Sequence, residues 1–324
     1  MQGHTQSTVA GGRSGRPVVP AAGLSGRAPR VSIGLPVYNG ERYIEEALRS
    51  ILAQTYADFE LIVVDNASTD RTRHICLSYA ARDRRVRYYR NPENLGVARN
   101  YNRALQLARG AYFRWAAYDD LLAPGNLIRC VEILDGRPDV VLCYPRTINI
   151  DGSGAALGEY RDDFSFAQPR AHVRFRHLMQ RSVDYDCNAL YGLIRTDVLR
   201  KTGMMGDFHS ADRVLLAELV LRGGFHEVPE FLFYHRFHDS ISTSREKTAA
   251  EWAAWFNPAR PARRAFPRFR RALEFVRAVR RTGIPAGERY ACYVSVAQFY
   301  LSADKWRRLL RRARIPISMK GHHV

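Results

Sequence analysis

Strand and helix patterns alternate over the first half of this 324-residue chain, which predicts an α/β fold: a mainly parallel mixed sheet flanked by helices. Two acidic positions sharpen the expectation. Asp65 and the pair Asp119-Asp120 each follow an apolar run, so they fall at strand ends, where ligands gather in such sheets. The alternation then stops near Arg245, and the remainder reads as a helical extension.

The elements follow in order. Val31 to Val37 reads as a short buried strand, and Gly40-Glu41-Arg42 opens a helix with Ile44, Ala47, Leu48, Ile51 and Leu52 on one face. Phe59 to Val64 is a second strand ending at Asp65, and Asn66 to Asp70 is a turn that starts a second helix. Val86 to Tyr89 is a third strand. The loop Asn91 to Gly96 leads into a helix through Ala108. Tyr112 to Ala117 is a strand running out of the core, followed by the carboxylate pair, a helix from about Pro124 to Leu134, and a strand from Val140 to Tyr144. Residues 1–29 read as a disordered leader, 30–244 as the α/β domain, and 245–324 as the basic extension.

Composition excludes several classes. Five cysteines without a CxxC spacing indicate neither a disulfide framework nor a zinc site, and suggest a reducing, cytoplasmic setting. No run of eighteen apolar residues is present, so no bilayer span is expected. The first strand leads into Leu35-Pro36-Val37-Tyr38-Asn39-Gly40 instead of G-x-G-x-x-G, which removes the dinucleotide-binding fold, and no Walker A sequence occurs. The net charge of +18 is concentrated late: nine arginines lie between Asn257 and Arg281, against one acid, Glu274. Lys305, Arg307, Arg308, Arg311, Arg312 and Arg314 form a second cluster. Such runs attract polyanions or are plain solvated surface. A helix with Trp306, Leu309 and Leu310 among those arginines has the composition of an interfacial anchor or of an ordinary amphipathic helix. The anchor reading predicts peripheral contact with an anionic membrane. A basic nucleic-acid-binding module is the alternative function these runs raise; because the arginines lie outside the sheet region, no nucleic-acid partner is expected.

Two carboxylates at a strand end are costly to bury unless a positive charge joins them. A divalent cation with a phosphate ligand is one remedy; capping of the helix near Pro124 is the alternative. At the neighbouring strand ends, Asp65 can accept from a nucleobase N–H. Pro36, Val37 and Tyr38 lie at the end of the neighbouring strand, where Tyr38 can supply an aromatic face to that base or the three can form a rigid turn with a packed tyrosine.

Four segments together resemble the family-2 inverting glycosyltransferases of the GT-A fold. They are VSIGLPVYNGERYIEEALRSILAQTY, FELIVVDNASTD, NLGVARNYNRALQLARGAYFRWAAYDDLLAP and HSADRVLLAELVLRGGFHEVPEFLFYHRFHDSIS, and they occur in the family's order across Arg30 to Ser244. The resemblance implies transfer of a sugar from a nucleotide-sugar to an acceptor hydroxyl with inversion. The donor would be UDP-linked, or else GDP- or dTDP-linked; the acceptor would be a glycan or a lipid-linked group in cell-surface synthesis. It implies Asp65 against the base, with Asn39 and Arg99 also in the nucleotide-sugar site. Asp212 is implied as catalytic base, where helix logic alone would make it an N-cap. Arg236 and His238 fill an R-x-H element near the diphosphate. The family's D-x-D motif falls on Ala117-Tyr118-Asp119, so its first aspartate is absent. Asp119 remains as ligand to Mg²⁺ or Mn²⁺, with Asp120 as second ligand or supporting acceptor. The missing aspartate also keeps open a catalytically inactive nucleotide-binding relative.

Overall fold

The computed structural model describes residues 27–181, 187–239, 251, 255–256, 258 and 267–301. Most of the leader, the arginines at 260, 263 and 264, and the whole cluster from Lys305 with Trp306, Leu309 and Leu310 lie outside the described residues.

The strands are β1 (Val31–Val37), β2 (Phe59–Asp65), β3 (Val86–Arg90), β4 (Tyr112–Trp115), β5 (Leu121–Leu122), β6 (Val140–Ile150), β7 (Ala156–Tyr160), β8 (Leu193–Arg195) and β9 (Gly224–Arg236). The helices are α1 (Ile44–Leu52), α2 (Thr72–Arg82), α3 (Val97–Leu107), α4 (Asn126–Gly136), α5 (Ala171–Gln180), α6 (Thr196–Arg200), α7 (Ala211–Arg222), α8 (Pro267–Arg281) and α9 (Ala286–Leu301), with a 3₁₀ turn at Asn188–Tyr191. Among the described residues the strands form one sheet in the order β3-β2-β1-β4-β8-β6-β9-β5, with β7 added to β6. β3, β2, β1 and β4 are mutually parallel, and β6 and β9 run the same way; β8, β5 and β7 oppose them. The sheet is therefore mixed and mainly parallel.

Sequence explains the parallel half directly. β1 and β2 are buried at every position, as strands covered on both faces must be. α1 buries Ile44, Ala47, Leu48 and Ile51 at helical spacing. β6 runs six residues past the predicted end at Tyr144. Pro145 lacks a ladder donor, and the pairing with β9 shifts register there and continues to Ile150. α4 begins at Asn126, and its N-cap, Gly125, makes no side-chain cap bond, so neither Asp119 nor Asp120 caps it. α8 and α9 are not detached from the sheet: Phe275, Ala278, Val279, Cys292 and Val296 join the core cluster that holds α5 and α7. No helix among the described residues is long and apolar enough to cross a membrane.

Candidate active site

β1 and β2 end in register, Val37 opposite Asp65, so the loops after them meet at the carboxyl edge. The Val37 carbonyl accepts from the Asn66 N–H at 2.8 Å. Pro36 and Val37 are buried, and Tyr38 emerges 44% exposed. Asn39 takes a left-handed φ of 50°; its side-chain oxygen accepts from the Thr69 N–H at 2.8 Å, and its own N–H donates to Ser68. Asp65 is 0% exposed. Its carboxylate accepts from the Ser68 N–H at 2.8 Å, from Tyr88 at 2.5 Å and from Arg90 at 2.6 Å. An acid expected to meet a base directly is thus engaged by three protein donors. Arg90, which also donates to the Ser68 carbonyl, is the more exposed member of the pair. Sequence reading passed over Arg90, although its place at the end of β3 obeys the same strand-end rule.

Behind this edge lies a buried amide network. Asn91 donates to Asn66 and Asn100, Asn66 donates to Asn94, and Asn100 donates to the Val64 carbonyl. It fixes the start of α3, where Gly96 has φ +81° and a Cβ would lie 2.3 Å from the Phe256 carbonyl oxygen. Arg99 is exposed on the first turn of α3, with no partner among the described residues.

The carboxylate pair sits in the turn between β4 and β5, and its two acids face different ways. Asp120 looks inward: one oxygen accepts from the Arg236 N–H at 2.9 Å and pairs with His235 at 3.1 Å. Its other oxygen is buried and has no hydrogen-bond partner among the described residues. The nearby Arg114 is fully buried as well, bonded to Asn126, and burial lowers its pKa to about 10. Asp119 meets His238 Nε2 at 3.1 Å. Burial, reinforced by the neighbouring Asp120, raises the Asp119 pKa, while His238 opposes the rise. His238 in turn lies 4.6 Å from the ring of Tyr43.

Arg236 is 0% exposed and its donors are spent on protein. Nε donates to the Asp119 carbonyl at 2.8 Å, Nη1 to the carbonyls of Asp151 and Gly152, and Nη2 to Glu46 of α1 at 2.7 Å. The R-x-H arginine expected beside a diphosphate here clamps α1, the β6–β7 turn and the carboxylate turn together. Long-range contacts of this kind leave no mark on local sequence.

On the other flank, Asp212 lies in the first turn of α7 but is not its N-cap. Ser210 holds that position, and the Asp212 carboxylate accepts from the next N–H, that of Arg213, at 2.8 Å. Cys187 adjoins Asp212, and its thiol is pushed well up by burial and by that carboxylate. Arg271 of α8 donates to Ser210 at 3.1 Å, and Arg270 pairs with Asp207, so the extension braces the loop that delivers Asp212. Glu218 faces away and is held by Arg222 and Arg281. A cavity of about 190 Å³ lies beneath this loop; its Asp207, Arg270, Glu218 and Arg281 are paired with one another, away from the Asp119 carboxylate.

The metal that the resemblance implies can be tested on these atoms. No group of three His, Cys, Asp or Glu suited to a metal exists among the described residues. A carboxylate and an imidazole do converge at Asp119 and His238, and burial disfavours an uncompensated charge there. Two protein ligands suit a cation that completes its shell with water and substrate phosphate, as Mg²⁺ and Mn²⁺ do. The residues fit such an ion.

Comparison with known proteins agrees with this architecture. The family model described as glycosyl transferase family 2 matches residues 32–199. An uncharacterized glycosyltransferase of Rickettsia typhi is 30% identical over 222 residues, covering 67% of each chain. One of Methanocaldococcus jannaschii is 30% identical over 153 residues, covering 46% of this chain and 53% of its own. The chain spans only 38% of the matched Rickettsia felis relative. Among solved structures, Staphylococcus aureus TarS 1–349 in complex with UDP-GlcNAc superposes with a TM-score of 0.65 at 15% identity, covering 88% of this chain and 76% of that one. The Pyrobaculum calidifontis mannosyltransferase PcManGT, in complex with GDP-Man and Mn²⁺, gives 0.52 at 19% identity, covering 89% and 74%. A mixed, mainly parallel sheet of this order, and a family match across more than half of the chain, lead to one conclusion: the chain belongs to glycosyltransferase family 2.

Proposed function

We propose that this glycosyltransferase moves a hexose from a nucleotide-sugar to an acceptor hydroxyl with inversion at the anomeric carbon. The observation that carries the reading is the arrangement of acids: Asp119, paired with His238 and locked by Arg236, on one flank, and Asp212 at the start of α7 on the other. Asp119 and His238 would hold Mg²⁺ or Mn²⁺, which when bound offsets the charge on a departing diphosphate. Asp120 is the supporting acceptor, since one of its oxygens fastens the end of β9. Asp212 takes the proton of the acceptor hydroxyl as that oxygen attacks, and no covalent enzyme intermediate is needed. The edge formed by Pro36, Val37, Tyr38, Asn39 and Arg90 receives the nucleotide, with Asp65 fixing Arg90. Arg99, exposed on the first turn of α3, is proposed to join that edge.

The donor is proposed as UDP-linked, with GDP- and dTDP-linked sugars as alternatives; the two neighbours, solved with UDP-GlcNAc and with GDP-Man, support a nucleotide-sugar in general. The acceptor is proposed as a glycan or lipid-linked group of the cell surface, reached from the cytoplasmic face of the membrane. The test is release of nucleotide diphosphate by purified protein from a panel of UDP-, GDP- and dTDP-hexoses, with and without Mn²⁺. Release from one nucleotide class supports the reading. No release from any donor, with nucleotide still bound, would leave an inactive nucleotide-binding relative, the outcome that Ala117 keeps in view.

A further inference from the structure

Two tyrosines bridge the flanks of the site. Tyr101 stands on α3, and its carbonyl accepts from the indole N–H of the fully buried Trp115, the last residue of β4 before the carboxylate turn. Tyr191 ends the 3₁₀ turn that begins just after Cys187, the neighbour of Asp212. Its ring stacks on Phe233 of β9 at 5.8 Å, and Phe233 stacks on His235, the partner of Asp120. The 3₁₀ turn therefore touches Asp212 at one end and the support of the carboxylate pair at the other. Gly192 permits this placement, because a Cβ there would lie 2.7 Å from the Cys143 carbonyl oxygen. The two tyrosine hydroxyls meet at 3.3 Å.

Their chemistry sets a constraint. Each phenol carries one proton, and a single hydrogen bond between them uses one of the two. The second O–H has no acceptor among the described residues. Both hydroxyls stay protonated: burial raises Tyr101 to about 12 and Tyr191 further, and the carboxylates of Asp119 and Asp120 add to both. Asp212 adds to Tyr101 as well. Both residues are half-buried, and the hydrogen bond that joins them is part-buried. In an inverting displacement, the group lying between the leaving diphosphate and the base is the sugar itself.

We propose that the Tyr101–Tyr191 pair reads the transferred sugar, its remaining O–H donating to a sugar hydroxyl. This rests on the roles proposed above for Asp119 and Asp212. Neither tyrosine bonds the nucleotide edge, so the pair distinguishes the sugar-bearing donor from the bare nucleotide.

The experiment is calorimetry in Mn²⁺ on wild type, Tyr101→Phe, Tyr191→Phe and the double variant. Each is titrated with UDP and UDP-GlcNAc, GDP and GDP-mannose, dTDP and dTDP-glucose. For the pair that binds wild type, the expected result is a roughly 3- to 10-fold weaker hold on the sugar-bearing member in the double variant, the worth of one neutral hydrogen bond. The bare nucleotide should bind unchanged. An unchanged ratio overturns the proposal. So does an equal loss for both members, which marks a packing role, and so does a wild type that binds none of the six. Failure of the underlying reading shows elsewhere: wild-type turnover in Asp212→Asn, or Mn²⁺-dependent nucleotide binding in Asp119→Ala, removes the flanking roles whatever the tyrosines do.

Discussion

Asp65 ends the parallel strand β2 and Asp119 lies in the turn after the parallel strand β4, and both are buried, yet the protein treats them differently. Asp65 is 0% exposed and meets a backbone N–H, a tyrosine and an arginine. Asp119 is 8% exposed, and its carboxylate meets only the His238 imidazole and its own backbone N–H among the described residues. Burial therefore raises the Asp119 pKa, a sign of a charge lacking compensation from the protein. The difference teaches how to rank strand-end acids. A saturated carboxylate shapes the edge, and on the proposed function an undercompensated one receives a partner brought with the substrate.

The largest expected effect extends this contrast to the acceptor flank. Asp212→Asn should lower kcat by about 10²–10⁴-fold, the worth of a placed general base, while nucleotide affinity holds. Steady-state kinetics beside calorimetry checks this, and near-normal kcat would reduce Asp212 to a feature of the helix start.

Asp119→Ala should lower kcat/KM by about 10³-fold, since several kcal/mol of charge stabilisation is lost. Its effect on folding has the opposite sign. A raised carboxyl pKa favours the folded state below the unfolded value near 4 and loses that contribution as pH rises through the folded value. Above the folded value the ionised group is then a cost to the metal-free protein. Metal-free Asp119→Ala should melt no lower than wild type at pH 7, and any advantage should shrink toward pH 4. A clear fall in Tm at pH 7 would mean that Asp119 is structural.

Arg236→Gln should destabilise by about 2–4 kcal/mol. The carbonyls of Asp119, Asp151 and Gly152 would lose their donor, whereas half-exposed Glu46 can turn to water. Urea unfolding measures it, and a change below about 0.5 kcal/mol would deny the clamp. The smallest effect should come from Asp65→Asn, about 1–3 kcal/mol of stability with a raised KM for donor and unchanged kcat. A fall in kcat would erase the distinction between the two acids.

Much of the parallel half was legible because strands covered on both faces read as continuous apolar runs, and α1 repeats its apolar positions at helical spacing. The position of the carboxylate pair followed from the same runs. What escaped were partners far apart in sequence: Arg236 on Glu46, His235 on Asp120, Tyr191 on Tyr101. Arg114 escaped for another reason, since an arginine inside an apolar run carries no local sign that it is 0% exposed and bonded to Asn126. The predicted strand from Val140 stopped at Tyr144, whereas β6 passes Pro145 with a register shift and continues to Ile150.

The contrast between the two acids reduces to one titration. UDP and GDP are each titrated, with and without Mn²⁺, into wild type, Asp119→Ala and Asp65→Asn. The nucleotide that binds should bind tighter with Mn²⁺ in wild type and in Asp65→Asn, and equally with or without it in Asp119→Ala. Retention of the Mn²⁺ effect in Asp119→Ala, or its absence from wild type, would contradict the assignment of Asp119 as the acid that receives the metal.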